Sequence, residues 1–357
     1  MTPLAASNGL AARIAKFVRS WGQDGDFDQL AIDLFREQYQ KNAPYRRFCD
    51  ASHRSPEAVC HWTQIPAVPA DAFRLQDLYC GAEPPAAVFR TSGTTSGPRG
   101  EHRMDAAGLG MYRLSLQTAF DQLASQTVGL PLRSLIAPFA EALDSSLSFM
   151  LSTLAESSGH SRFFWQNGGP AISEAAMALR EERAPVLIFT TAFALAELLD
   201  GLRSPLSLPD GSWIIETGGF KGRRKEIPRA KLYTRAESRL GVPVERIASE
   251  YGMCEMSSQF YDAYLHDPLA STEPIKTAPP WVRTLFIDPG TGRFTRAGSV
   301  LRHFDLCNLS SVLAIETMDC ARPVGPGFVL EGRLPGSALR GCSLSVEEWT
   351  THQQGGS

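Results

Sequence analysis

Apolar residues at Phe27, Leu30, Ala31, Leu34, Phe35 and Tyr39 follow the i, i+3, i+4, i+7 spacing of a helix with one buried face. Pro44 is expected to end that helix. Upstream, residues 1–21 are mildly amphipathic, with Arg13, Lys16 and Arg19 set among Leu10, Ile14 and Phe17. Prolines between Ile65 and Pro85 make residues 60–85 an extended connection, and residues 86–90 form a short apolar strand after it. A helix is expected over 105–123, with Leu109, Tyr112, Leu116 and Phe120 along one face. Short apolar runs at 135–137, 163–165, 186–190 and 213–215 then alternate with helical patterns at 147–154, 172–183 and 193–202. Strand and helix in turn predict an α/β fold with a largely parallel sheet. From about Pro280 the pattern changes to short strands: 283–287 and 293–294 around Asp288-Pro289-Gly290-Thr291-Gly292, then 311–315 and 327–330.

Composition narrows the class. The 357 residues carry 43% hydrophobic and 20% charged side chains, the profile of a globular protein long enough for a large domain with a smaller companion. A net charge of −3 and the absence of a basic run argue against nucleic-acid binding. No stretch of eighteen apolar residues predicts a membrane span, and the N-terminus lacks the pattern of a signal peptide. The seven cysteines include no Cys-x-x-Cys pair, which disfavours zinc and a disulfide framework and suits a reducing cytoplasm.

The densest chemical signal is Thr91-Ser92-Gly93-Thr94-Thr95-Ser96-Gly97-Pro98-Arg99-Gly100-Glu101. Glycines let successive N–H groups turn toward one point, hydroxyls add donors around it, and Arg99 supplies one cation. Such a loop suits a polyphosphate, although it also reads as a flexible linker. Pro98 and Arg99 stand where the common phosphate loop has lysine and a hydroxyl, and the dinucleotide Gly-x-Gly-x-x-Gly is absent here.

Further motifs follow in order: Glu216-Thr217-Gly218-Gly219-Phe220-Lys221-Gly222-Arg223, Ser249-Glu250-Tyr251-Gly252-Met253-Cys254-Glu255, Asp305-Leu306, Gly332-Arg333 and Arg340-Gly341-Cys342. Taken singly, each fits an ordinary role: Tyr251 in a core, Glu255 on the surface, Gly218 and Gly219 in a turn, Asp305 as a cap. Together with the glycine loop they resemble the AMP-forming acyl-adenylating superfamily of acyl-CoA ligases and luciferases. Within it, residues 27–50, Ile65-Pro66-Ala67-Val68-Pro69 and Gly332-Arg333-Leu334-Pro335-Gly336 resemble the acyl-protein synthetases of bacterial bioluminescence.

The resemblance implies an adenylation domain over residues 1–300 with mostly parallel sheet layers. It also implies a reduced β-rich C-terminal subdomain over 301–357, lacking the superfamily's full lid. Its reaction would join ATP and a carboxylic acid, with fatty acid expected, to give acyl-AMP and pyrophosphate, and then a thioester. By resemblance, Thr91, Ser92, Gly93, Thr94, Thr95, Ser96 and Gly97 with Arg99 would hold the pyrophosphate. Tyr251 and Gly252 would meet adenine, Glu255 would bind Mg²⁺, and Asp305 and Arg333 would reach the ribose. Gly218 and Gly219 would lie close to the nucleotide or acyl group, with Lys221 on the phosphate or carboxylate. Cys254 departs from the superfamily's threonine beside the α-phosphate, and its thiol is a poorer donor than a hydroxyl.

No lysine follows Lys276, so the lysine of the superfamily's lid has no counterpart. Cys342, two residues past Arg340, is the expected acyl acceptor before transfer to a reductase or other protein partner, with Cys254 second. His102 and His303 are expected to be structural or substrate-orienting, since carboxylate activation removes no proton. Two alternatives stay open: a coenzyme A ligase of the phenylacetate type, and a non-catalytic subunit that docks a partner.

Overall fold

The computed structural model describes residues 9–91, 98–218, 227–271 and 273–334. The N-terminal part contains α1 (Leu10–Arg19), α2 (Phe27–Lys41) and α3 (Ala43–Ala51), followed by the short strand β1 (Val68–Pro69). Asp26 caps α2 through the Asp28 amide, and Asn42 caps α3 through the Tyr45 amide. Pro44 therefore opens α3 instead of closing α2, because a proline in the first helical turn forfeits no hydrogen bond.

Next come the hairpin strands β2 (Ala87–Arg90) and β3 (Glu101–Met104), then α4 (Ala106–Leu123), β4 (Leu132–Ser134) and α5 (Ser146–Ser157). Strands β5 (Arg162–Phe163), β6 (Trp165–Gln166) and β7 (Gly169–Pro170) lead to α6 (Ile172–Glu181). The alternation continues through β8 (Leu187–Thr191), α7 (Ala192–Gly201), β9 (Trp213–Thr217), α8 (Arg229–Leu240) and β10 (Ile247–Tyr251). The remainder is strand: β11 (Phe260–Asp262), β12 (Ile275–Thr277), β13 (Val282–Ile287), β14 (Ser299–Asp305), β15 (Ala314–Val324) and β16 (Gly327–Arg333).

One twelve-stranded sheet organises these elements, in the order β13-β14-β15-β16-β12-β11-β10-β9-β8-β4-β5, with β1 parallel to β15. The half from β5 to β10 is parallel and the half from β11 to β16 is antiparallel. Alternate residues of the parallel strands enter different cores. Ile188, Ile214 and Ile247 pack with Leu195, Leu198 and Leu232 of α7 and α8. Phe189, Ile215 and Ala248 pack with Tyr112, Leu116 and Phe149 of α4 and α5. A third core joins α1 to α3 with Trp281, Phe304 and Ile315 of the antiparallel half.

The α/β class and the late change to short antiparallel strands match the periodicity of the sequence. Residue 300, where a division is expected, falls inside β14, so the large sheet runs through that position. The β-rich part is the sheet's antiparallel end, and residues 335–357 of the expected C-terminal subdomain lie outside the described residues. Among the described residues no helix is long and apolar enough to cross a membrane, and the six described cysteines are free thiols.

Candidate active site

The glycine loop is the connection of an antiparallel hairpin. Strand β2 pairs with β3, and Thr91 and Gly100 close its mouth. The Thr91 amide donates to the Gly100 carbonyl at 2.9 Å, and the Gly100 amide donates to Thr91 Oγ1 at 2.9 Å. Ser92, Gly93, Thr94, Thr95, Ser96 and Gly97 lie outside the described residues, as do Gly219, Lys221 and Cys342. Arg99 lies across the base of the loop. Its Nε donates to the Thr91 carbonyl at 2.6 Å, one terminal nitrogen to the Arg90 carbonyl at 3.0 Å, and the other to Asp144 at 2.8 Å. Arg99 thus joins the loop to the approach to α5, and Asp144 is a partner that the sequence motifs did not single out.

The turn after β10 meets this hairpin where His102 reaches the Cys254 carbonyl, at the edge where open α/β sheets bind ligands. Gly218 ends β9 at φ +65°, a left-handed conformation that favours glycine. Beyond β10 the chain turns through Gly252 to Glu255, and three buried groups hold that turn. The His102 Nδ1 lies 2.8 Å from the Cys254 carbonyl, and its Nε2 lies 3.0 Å from Ser311 Oγ. Burial pulls His102 down to about 4, so the ring is neutral. A carbonyl only accepts, which puts the single ring proton on Nδ1 and leaves Nε2 to accept from Ser311. Asn308 Nδ2 donates to the Glu255 carbonyl at 3.0 Å. The Ser257 amide donates to Asp305 at 3.0 Å.

Glu255 is buried, and desolvation pushes its carboxyl up to about 7, opposed by its own main-chain amide and by Arg333 nearby. Asp71 and Asp319 raise it further. Arg333 is tethered to Asp319 at 3.2 Å, and Asp319 accepts from the Tyr251 hydroxyl at 2.8 Å. The Tyr251 ring is half-buried against Phe260, His303 and Phe328, with centroids 5.5 to 6.0 Å away. Tyr251, Glu255 and Arg333 therefore converge, with Asp319 linking two of them.

Asp305 and Cys254 depart from expectation. The Asp305 carboxylate is fully buried and accepts from the Ser257 amide, Ser258 Oγ and the Cys307 amide at 2.9 to 3.0 Å. It braces the Glu255 turn from beneath instead of facing a sugar. Cys254 is no ready acyl acceptor, because burial pushes its thiol far up despite the neighbouring Arg99, and the thiolate is the attacking form. Lys276, the last lysine of the chain, is also committed elsewhere. It is fully buried, with Nζ 2.7 Å from the Ser249 carbonyl and 2.6 Å from Asp262.

For a divalent cation, Glu255 offers a hard carboxylate that accepts from no side chain among the described residues. Among the described residues no group of three or more His, Cys, Asp or Glu could hold a metal on its own.

No protein-family model and no curated protein matches this sequence. Solved structures match the fold. ATP-bound MatB from Rhodopseudomonas palustris superposes with a TM-score of 0.51 at 15% identity, over 71% of this chain and 49% of MatB. The 2-hydroxyisobutyryl-CoA ligase with 2-HIB-AMP and CoA, in the thioesterification state, gives 0.66 at 15% identity, over 87% of this chain and 68% of the ligase. The same ligase in its postadenylation state gives 0.62 at 14% identity, over 86% and 68%. This chain thus spans about half the length of MatB and two thirds of the ligase. The chain shares the α/β fold of these structures.

Proposed function

We propose that this protein is an AMP-forming acid–thiol ligase of the coenzyme A type. A carboxylate oxygen of the substrate bonds to the α-phosphorus of ATP as the bond to pyrophosphate breaks, giving acyl-AMP. A thiol sulfur then bonds to the acyl carbon, AMP leaves, and the thiol proton passes to solvent. The observation that carries this reading is the convergence of Tyr251, Glu255 and Arg333 beside the Thr91–Arg99 hairpin, on a fold shared with ligases solved with ATP, acyl-AMP and CoA.

Each residue has a physical task. Two anions must be brought together, so alignment and fixed positive potential matter most. Thr91 and Gly100 set the mouth of the phosphate loop, and Arg99 holds it against Asp144. Tyr251, fixed by Asp319, offers a flat wall for the base, and Arg333 reaches the sugar or phosphate from the same anchor. Mg²⁺ would be held by Glu255 and would supply charge neutralisation on the phosphates. His102 and Asn308 keep the Glu255 turn in place through its main-chain carbonyls.

ATP–pyrophosphate exchange over a panel of acids, followed by thioester formation with coenzyme A in solution, is the direct test. Acid-dependent exchange with free acyl-CoA as product is expected. Exchange with no acid would overturn the reading in favour of a binding subunit. Label retained on denatured protein, and lost in Cys342→Ser, would return the acceptor to the chain's own thiol. Arg99→Ala is expected to raise the KM for ATP about tenfold or more. The same change should lower stability by less than about 1 kcal/mol in urea titration, because its ion pair is solvent-exposed. An unchanged KM would remove Arg99 from the phosphate loop.

A further inference from the structure

The sheet face that carries Phe189, Ile215 and Ala248 is apolar until the last rung before the carboxyl ends of its strands. There the register sets Thr191 beside Thr217, Thr217 beside Glu250, and Glu250 beside Tyr261, across β8, β9, β10 and β11. Residues paired across neighbouring strands lie on one face within contact distance, so this rung is a polar row under α4. Thr191 is occupied in capping α7. Thr217 donates its hydroxyl to Glu250 Oε2. Glu250 Oε1 lies over Gly252, where a Cβ would come within 2.5 Å of it, and it has no partner among the described residues. Glycine at 252 leaves that oxygen its room.

A second observation points to a ligand. Tyr261 is fully buried, and its hydroxyl has no hydrogen-bond partner among the described residues. A buried hydroxyl without a partner costs free energy, so a phenylalanine would suit a purely structural core better. Instead this hydroxyl neighbours the Glu250 carboxyl, whose Oε1 lies over Gly252 in the turn that leads to Glu255. Tyr112 lies near both Glu250 and Cys254, and it stacks on Phe149 with centroids 5.4 Å apart, with Phe89 packed against both.

We infer that Glu250 and Tyr261 read a hydrogen-bond donor, a hydroxyl or ammonium group, on the carboxylic acid that the site activates. This rests on the proposed ligase reading and deepens it, because it selects a short polar acid over the fatty acid that the sequence resemblance implies. A long alkyl chain placed here would bury a carboxyl and a hydroxyl against hydrocarbon. A hydroxyl donates to Glu250 and accepts from Tyr261, which completes both groups at once. Sites built to hydrogen-bond a substrate group reject the analogue that lacks it strongly, because their own polar atoms are then left unpaired.

The test uses the full-length protein and short acids matched in length, carrying methyl, hydroxyl or ammonium at the terminus or the β-carbon, with tetradecanoate as the long-chain probe. Exchange kinetics are expected to favour a donor-bearing acid over its methyl analogue by roughly a hundredfold in kcat/KM. Glu250→Gln should shrink that ratio at least tenfold, and most for the ammonium acids. Tyr261→Phe should lower it several-fold while the melting temperature of the unliganded protein stays level or rises, which guards against loss of fold as the cause. Preference for the methyl acids or tetradecanoate, or a ratio unmoved by both variants, overturns the inference while leaving the ligase reading intact. If no acid supports exchange, the ligase reading fails. Calorimetric binding of the same acids then decides this inference alone: donor-dependent affinity that Glu250→Gln abolishes supports it, and equal affinities overturn it.

Discussion

Glu255→Gln is expected to lower ATP–pyrophosphate exchange roughly a hundred- to a thousandfold with little loss of fold. The substitution keeps the shape of the side chain and removes only the negative oxygen that a cation on the phosphates would need. Because burial holds Glu255 up to about 7 in the unliganded protein, the wild-type exchange rate at limiting Mg-ATP should climb from pH 6 to pH 8 as the carboxylate forms, and the variant's profile should be flat there. An equally steep profile in the variant would assign the titration to another group. Stability has the opposite sign. Glu250 and Glu255 are raised to about 7 and Asp305 to about 6, above their unfolded values, so the folded chain holds more protons than the unfolded one. Their contribution is complete below about pH 4 and is lost as pH rises to about 7. Urea midpoints of the unliganded protein should therefore fall over that interval, and Mg-ATP should restore them.

Much of the architecture was legible because it is written in periodicity. The helices over residues 27–41, 106–123 and 192–201 each bury one stripe, and the strands over 187–191 and 213–217 are short apolar runs. Strand β10 and helix α8 were missed for physical reasons. Ile247–Tyr251 holds Ser249 and Glu250, whose side chains are buried in polar rows, so the strand lacks an apolar signature. Arg229–Leu240 is mostly polar and buries a face of only Leu232, Tyr233, Ala236 and Leu240. Strand β3, Glu101–Met104, alternates as its partner β2 requires, and that alternation was the signal available for finding it. The strand expected at 311–315 instead begins at Ala314 and continues to Val324.

The site was legible in its motifs and not in its supports. Tyr251, Glu255 and Arg333 fall in motifs at recognisable spacing, so the sequence singles them out, and the fold brings them together. Asp319, Asp144, His102 and Asn308 act through contacts 45 to 209 residues away along the chain, or across the sheet, which no local pattern encodes. Asp305 shows the converse. Its residue type and place in order suggest a sugar contact, whereas three protein donors already surround its carboxylate. Only the packing of Ser257, Ser258 and Cys307 around it distinguishes a brace from a ligand.

Lys276→Met should be among the most destabilising single changes in this protein. On the sheet face opposite Glu250, register sets Glu216 beside Ser249 and Asp262 beside Lys276, a second polar row that is wholly enclosed. Lys276 and Asp262 form an ion pair at 2.6 Å with almost no solvent exposure. Asp262 also accepts from the Ser249 amide at 2.7 Å and from the Tyr264 hydroxyl at 3.2 Å. Burial depresses the Lys276 ammonium, and the adjacent carboxylate opposes that shift. Removing the cation alone leaves a buried carboxylate without its counter-charge, at a cost of about 3–5 kcal/mol. Adding Asp262→Asn removes the orphaned charge and keeps an oxygen for the Ser249 and Tyr264 donors, so the double variant should recover a substantial part of that loss. A double-mutant cycle in urea measures the coupling. Simple addition of the two single effects would show that the pair acts independently. Full exchange activity in a folded Lys276→Met would confirm that the last lysine of the chain holds the sheet together and takes no part in the chemistry.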